Sequence, residues 1–526
     1  MSTPDASYDY VVVGAGSAGC VIAGRLSEDP DVKVCLIEAG REDGAPLTRI
    51  PSGAAMLQQT EYDWDYDTSE EPSCGGRRIY LPRGKVLGGS TVLNGMVYAR
   101  GMAADYDGWG QPGWSYRDLL PYFKLAEDNE RGESVYHGTG GPLGVTDSWY
   151  RSPATAAFVE AALEAGFAAN PDFNGPTQEG FGFYQITGRA GERCSAAAAY
   201  LHPVIDRPNL TVETRVLVER VFFEDGRAAG VFARVNGEQI KIRATREVIL
   251  SAGAYNSPQL LMLSGVGPAD ALRTVGVPVV ADVASVGQNL QDHPQCWLVF
   301  GHTLPVSLAL IGDPKSVRQY ELDRTGPLAT NGPEAGGFVR TGRSSEPDVQ
   351  FHAVAASLAE NRLAGAGPHA FSFAPLVLDA RSRGSVALNS GDPTSKPLIR
   401  HNYFADNADL DAMVAGLKVG LEIAKQDALI PFTETPVQTP ASDSDADLRA
   451  FARRHTQTCF HPGGTCAMGE VVDADLRVVG VEGLRVVDAS VMPTIVRGNP
   501  NAPIIAIAER AADLIRGKAP ATAARF

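Results

Sequence analysis

The sequence has no Cys-x-x-Cys pair, and its seven cysteines (Cys20, Cys35, Cys74, Cys194, Cys296, Cys459 and Cys466) are odd in number. Scattered, unpaired thiols argue against a disulfide framework or a zinc knuckle and favour a reducing compartment. There is no uninterrupted apolar run long enough to span a membrane. The first apolar run carries glycines and lacks a basic flank, so it does not read as a secretory signal, and a cytoplasmic location is expected. Basic residues are in deficit: 46 Lys and Arg stand against 62 Asp and Glu, a net charge of -16. The basic footprint that nucleic acid requires is therefore missing. The same charge says nothing about the substrate, because surface charge mostly serves solubility. Internal repeats and low-complexity tracts are also lacking.

What is present is a chain of 526 residues, 44% hydrophobic and 21% charged, an ordinary globular profile too long for one simple core. Two or three structural units are expected. Residues 8–40 read as strand, glycine turn, helix and strand. The run 10–13 (Tyr-Val-Val-Val) is of the kind buried in a parallel sheet, 17–27 has helical spacing, and 33–37 forms the second strand. Between the first strand and the helix lies Gly14-Ala15-Gly16-Ser17-Ala18-Gly19. The first glycine makes the tight turn, the second lets the backbone approach a pyrophosphate, and the third packs helix on strand. The helix N-terminus then faces the anion. Glu38, followed by Ala39, falls where the ribose hydroxyls of a dinucleotide would sit. This motif does not separate NAD from FAD.

Further along, 74–101 is a glycine-rich loop feeding a short helix, and 152–168 reads as an amphipathic helix. Strands at 210–214 and 218–224, with turn signals at Asp225-Gly226 and Asn236-Gly237, predict a β-meander over 209–250. It ends at 248–253 in a buried strand returning to the first sheet. The stretch 302–455 mixes short strands (348–353, 370–376) with one helix near 409–425. Residues 484–490 form another buried strand, and 502–516 the final helix. Asn501 is its expected N-cap, Pro503 is tolerated in the first turn, and Gly517 can end it. The tail 518–526 is expected to be disordered.

Two long segments carry a family resemblance. Gly84-Lys85-Val86-Leu87-Gly88-Gly89-Ser90-Thr91-Val92-Leu93-Asn94, running on to Tyr98 and Gly101, resembles the first signature of the glucose-methanol-choline (GMC) oxidoreductases. The run from Gly253 through Asn256-Ser257-Pro258 to Gly267 resembles the second. The likeness extends from Tyr8 to about Arg516 and is to the bacterial branch of choline and other alcohol oxidases and dehydrogenases. It implies an α/β fold: a discontinuous Rossmann-like FAD domain (1–150, 206–301, 456–526) with a mixed-sheet substrate domain (151–205, 302–455). It also implies FAD held by Gly14, Gly16, Ser17, Ala18, Gly19, Glu38, Ala39, Gly88, Gly89, Ser90, Asn94, Gly95, Val97, Val218, Asp488, Ala489 and Pro500. On local grounds Gly88-Gly89 suits close approach of a flavin or a plain tight turn. Val218 stands either against the adenine or as an ordinary strand residue, and Asp488 either beside the ribityl chain or as a loop cap.

The resemblance assigns the chemistry to His461, in the small-residue setting Pro462-Gly463-Gly464-Thr465, and to Asn499. The imidazole would act as general base on the hydroxyl as hydride leaves the carbon. An amide cannot be a base near neutral pH, so Asn499 would orient the alcohol and its developing alkoxide. Asn501 competes for that role, and a turn residue before Pro500 is the plain alternative for Asn499. The final helix, if its N-terminus faces the flavin, would favour the anionic reduced form. Leu93 stands where some relatives carry the histidine that tethers FAD, so non-covalent FAD is expected. Gln295 follows Asp292-His293-Pro294 where choline-oxidising relatives are expected to carry a carboxylate. A cation would lack its counter-charge there, which favours a neutral primary alcohol. The expected partners are that alcohol and O2 or another electron acceptor, with a homodimer left open. Choline oxidation proper, a flavin-containing lyase and a flavin-binding protein without turnover are the alternatives.

Overall fold

The computed structural model describes residues 6–359 and 369–525, and readings that fall on 1–5, 360–368 and 526 lie outside them. Two sheets organise the chain. In the first, the strand order is Leu210–Glu213, Val34–Ile37, Ser7–Val13, Glu238–Leu250, Arg227–Val235, Leu217–Glu224, with Leu484–Val486 also paired to Glu238–Leu250. Val11, Val12 and Val13 are buried because the strand has neighbours on both edges and covered faces.

The meander and this sheet are one body. The strand Glu238–Leu250 has 13 residues and serves both. Its first half pairs antiparallel with Arg227–Val235, and its second half runs parallel to Ser7–Val13 and Leu484–Val486. Both predicted turns have the left-handed backbone that tight hairpins require: φ is +50° and +79° at Asp225-Gly226, and +49° and +89° at Asn236-Gly237.

The second sheet has eight strands. Its main path is Thr435–Gln438, Leu298–Gly301, Ala370–Val377, Val349–Val354, Ala335–Val339, Gly180–Phe183. Pro294–Gln295 bridges Ala370–Val377 and Gln457–Thr458. Helices Pro153–Glu164 and Asn407–Ala424 share an aromatic core with it that includes Phe158, Phe181, Phe351, Phe371 and Phe373. The strand Leu298–Gly301 belongs to this sheet, although the sequence division puts it in the first unit. A short apolar strand buried on both faces has no pattern that says which sheet it joins.

The helix Ser17–Leu26 packs against the final helix Asn501–Ile515. Arg25 bridges both carboxylate oxygens of Glu509 at 2.8 Å, and Tyr200 donates to the same group at 2.8 Å. Two expectations about the final helix are corrected. Asn501 is its first residue rather than its cap; its Oδ1 accepts from Ser17 Oγ at 2.8 Å, which ties the side chain to the neighbouring helix. The tail is docked, not free. Ala521 N–H donates to Tyr122 Oη at 3.0 Å and Ala524 N–H to the Arg117 carbonyl at 2.9 Å. Gly517 ends the helix as expected, at φ +66°, with Gly517 and Lys518 N–H donating to the Leu514 and Asp513 carbonyls. All seven cysteines are buried and free. Among the described residues no helix is long and apolar enough to cross a membrane.

Candidate active site

A cavity of about 490 Å³ opens beyond the C-terminal ends of the parallel strands Ser7–Val13 and Val34–Ile37. Of the predicted cofactor residues, Gly14, Gly16, Ser17, Ala18, Glu38, Ala39, Gly89, Ser90, Val218, Asp488, Ala489 and Pro500 line it. The three glycines of the turn divide the labour by geometry. Gly14 has φ +98°, and a Cβ there would sit 2.6 Å from the Ser251 carbonyl oxygen. A Cβ on Gly19 would lie 1.8 Å from the Gly14 oxygen, so Gly19 seals helix to strand instead of facing the cavity. Gly16 has nothing within 4 Å of its Cβ position. No side chain caps the helix that follows, and its first turn carries no acidic residue, so its end amides stay available to an anion.

Glu38 is buried, with Oε2 accepting from Ala15 N–H at 2.9 Å and Oε1 from Gly40 N–H at 2.8 Å. Burial pushes its carboxyl up to about 7, against the backbone donors that favour the charged form. Gly88 does not line the cavity. Its N–H donates to the Ala15 carbonyl at 2.8 Å, and a Cβ on Gly89 would lie 2.7 Å from Gly16 Cα. The close approach that this glycine pair permits is thus to the cradle backbone. Asp488 lines the cavity and is also a cap: it accepts from Gly253 N–H at 2.9 Å, Ser257 Oγ at 2.5 Å and Ser490 N–H at 2.8 Å. Val218 lines the wall from within its strand, opposite Ala233.

A second cavity of about 270 Å³ adjoins the first, sharing Ser17, Arg83, Ser90, Phe460, Pro500 and Ile504 with it. Asn94, Gly95 and Val97 line this one, and so do His461, Asn499 and Asn501. His461 Nε2 lies 3.1 Å from Asn499 Nδ2, and His461 Nδ1 lies 3.0 Å from His293 Nδ1. The loop carrying the imidazole is pinned by buried Asp292. That carboxylate accepts from His461 N–H at 2.8 Å and His293 N–H at 2.9 Å, and also from the Thr458 and Tyr403 hydroxyls. Burial, with His293, His352 and Arg83 nearby, holds His461 well below the usual imidazole range. This favours the neutral ring, which a base requires.

The geometry separates the two asparagines: Asn499 reaches His461, whereas Asn501 is engaged with Ser17. It also brings up residues not singled out from the sequence. Cys459 Sγ is 3.8 Å from both His461 Nε2 and His352 Nδ1, and Gln350 and His352 both face this cluster. The available signal was two polar residues at i and i+2 inside a wholly buried strand, Val349–Val354. The outer wall is apolar, formed by Trp297, Leu308, Ile311, Val354 and Leu358. Among the described residues no Asp or Glu lines this cavity. The final helix begins at its edge, with Pro500 before it, no side-chain cap and no acidic first turn.

Together the cavities fall within the ~300–1,000 Å³ of typical cofactor sites. An open glycine position, an uncapped helix end and a buried acid at the strand tip fit the diphosphate and ribose of a dinucleotide. Residues 8–295 and 380–508 match the N-terminal and C-terminal family models described as GMC oxidoreductase. The mitochondrial choline dehydrogenase of Homo sapiens is 43% identical, over 97% of this chain and 90% of its own length. An alcohol dehydrogenase [acceptor] of Pseudomonas putida is also 43% identical, over 97% and 95%. Among solved structures, pyridoxine 4-oxidase from Mesorbium loti superposes with a TM-score of 0.89 at 32% identity, covering 97% of this chain and all (100%) of that one. With those matches the chain belongs to the GMC oxidoreductase family and is an FAD-dependent oxidoreductase.

Proposed function

We propose that this protein oxidises a neutral primary alcohol to the aldehyde, with His461 as base and Asn499 as hydroxyl-orienting partner. The observation that carries the proposal is the buried His461 imidazole 3.1 Å from the Asn499 amide, on the wall of a cavity that joins the cofactor cradle. Bound FAD supplies the hydride acceptor. The chain's own residues do the rest. The backbone at Gly14, Gly16, Ser17 and Ala18 would hold the diphosphate, and Glu38 the ribose. Asp488 and Ala489 would hold the ribityl side, and Ser90, Asn94, Gly95, Val97 and Pro500 would hold the ring. Asn499 holds the alcohol oxygen while His461 Nε2 takes its proton, and the apolar wall excludes water.

FAD is held without a covalent bond. Leu93, at the position from which some relatives tether the flavin, packs with Leu57, Val86 and Val92 and offers no nucleophile. Denaturation is expected to release all the yellow colour; colour retained on the unfolded chain rejects this point. The electrons then pass to O2 or another acceptor, and the buried free thiols favour the cytoplasm as the setting.

Named relatives include choline dehydrogenases, but among the described residues a quaternary ammonium would meet no carboxylate in this pocket. Anaerobic mixing with choline and with its neutral tert-butyl isostere tests the assignment. The isostere should bleach the flavin at the lower concentration. Preference for choline would overturn the neutral-substrate reading, and absence of bleaching by every alcohol would overturn the oxidation itself.

A further inference from the structure

An asparagine amide has a donor end and an acceptor end that a half-turn exchanges. Which end of Asn499 faces His461 decides which nitrogen of the imidazole keeps its proton. The surrounding bonds settle the direction. Tyr184 donates its hydroxyl proton to the Phe351 carbonyl at 2.6 Å, and a carbonyl can only accept. The Tyr184 oxygen is left to accept, and it meets Gln350 Nε2 at 3.2 Å. The same nitrogen lies 3.0 Å from Asn499 Oδ1 and 3.1 Å from His352 Nε2, while Gln350 Oε1 has no hydrogen-bond partner among the described residues. With Gln350 so oriented, Asn499 must present its oxygen to Gln350 and its NH2 to His461 Nε2. A donor at Nε2 keeps the lone pair there and places the ring proton on Nδ1, 3.0 Å from His293 Nδ1.

We propose that Tyr184 and Gln350 are positioning residues that fix the Asn499 amide and thereby hold His461 in the tautomer able to accept the substrate's proton. The inference rests on the roles proposed for His461 and Asn499. Neither new residue lines the cavity, and both are buried, so they act only through the relay. The reversed chain would turn the Asn499 oxygen to His461 and select the Nε2–H form, which cannot serve as base.

Gln350→Glu is the decisive variant. An ionised carboxyl only accepts, so it forces the Asn499 amide round, whereas a protonated one can still donate to Asn499. The FAD-loaded variant should reduce its flavin at near-native rates at low pH and lose about 100-fold as the introduced carboxyl ionises, a loss of the size that attends a missing base. Nitrogen NMR of histidine-labelled protein should move the His461 signal from Nδ1–H to Nε2–H over the same range. In an Asn499→Ala background, Gln350→Glu should add no further pH-dependent loss. Tyr184→Phe, which removes one oxygen, should slow reduction several-fold with KM little changed. The relay is refuted if Gln350→Glu keeps the native pH profile, or if its whole effect persists without Asn499. Should that variant fail to fold, native kinetics in Tyr184→Phe refute it. Full activity in His461→Ala would instead mark failure of the underlying assignment.

Discussion

At the scale of single residues, the proposed chemistry depends on keeping one imidazole uncharged. His461 is held below its ordinary range by burial first, and then by His293, His352 and Arg83. His461→Ala should lower anaerobic flavin reduction by about 100- to 10,000-fold at unchanged FAD content, measured by stopped-flow absorbance. With His461 as the proposed base, the native enzyme should keep a level rate from about pH 8 down to about pH 6.5, because that imidazole is held well below its ordinary range. His461 and Asn499 were singled out in the sequence because each sits in a rigid, small-residue context that fits the family's pattern, and the structure brings their side chains within 3.1 Å. Gln350 and Tyr184 were not. They touch neither cavity; Gln350 shares its apolar strand with His352, a pair that marks the strand without giving a role, and Tyr184 is one polar residue beside an apolar strand. Their significance comes from a bond direction set at the Phe351 carbonyl, which has no sequence signature.

At the scale of elements, the glycine turn separates folding from cofactor binding. Gly16→Ala should leave the fold intact, because its φ is an ordinary -83° and nothing lies within 4 Å of the added carbon. The methyl enters the cradle, however, and FAD affinity should drop; fluorescence titration of the apoprotein checks this. Gly19→Ala puts its carbon 1.8 Å from the Gly14 oxygen and should lower the melting temperature of the apoprotein itself. Equal apoprotein stability in the two variants would contradict this division. The strand-turn-helix-strand order was legible because period, glycine spacing and the terminal acid agree. The exact start of the final helix was not, since Asn501 bonds to a helix nearly five hundred residues earlier in the chain (|i−j| 484) and not to its own first turn. Nor was membership of Leu298–Gly301 in the second sheet, because strand pairing is decided by partners far away in the chain.

For the molecule as a whole, buried histidines of opposite sign shape its response to acid. His401 is held down to about 4 by burial, so on unfolding it takes up a proton at any pH between that value and its ordinary 6.5. Its contribution to stability is therefore complete above about pH 6.5 and is lost as pH falls. His137 is raised, because its hydrogen bonds to Asp172 and Glu127 outweigh burial. Its contribution is complete below its ordinary value and is lost as pH rises. Below about pH 6.5, His401→Gln should flatten the acid-side fall of the melting temperature, whereas His137→Gln should act above about pH 6.5, where it removes a loss of stability with rising pH. Identical slopes in both variants and the native protein would refute the assignment. The family resemblance implied two bodies and the apolar end of the meander implied a return to the first sheet, but that one continuous 13-residue strand serves both was not legible. That strand joins Ser7–Val13 to Leu484–Val486, and the helix beside the glycine turn rests on Asn501–Ile515. During translation the nucleotide cradle therefore stays half-built until almost the entire polypeptide has left the ribosome. Flavin capture must follow synthesis, and a prematurely terminated product would carry an early half-site that has nothing to close it.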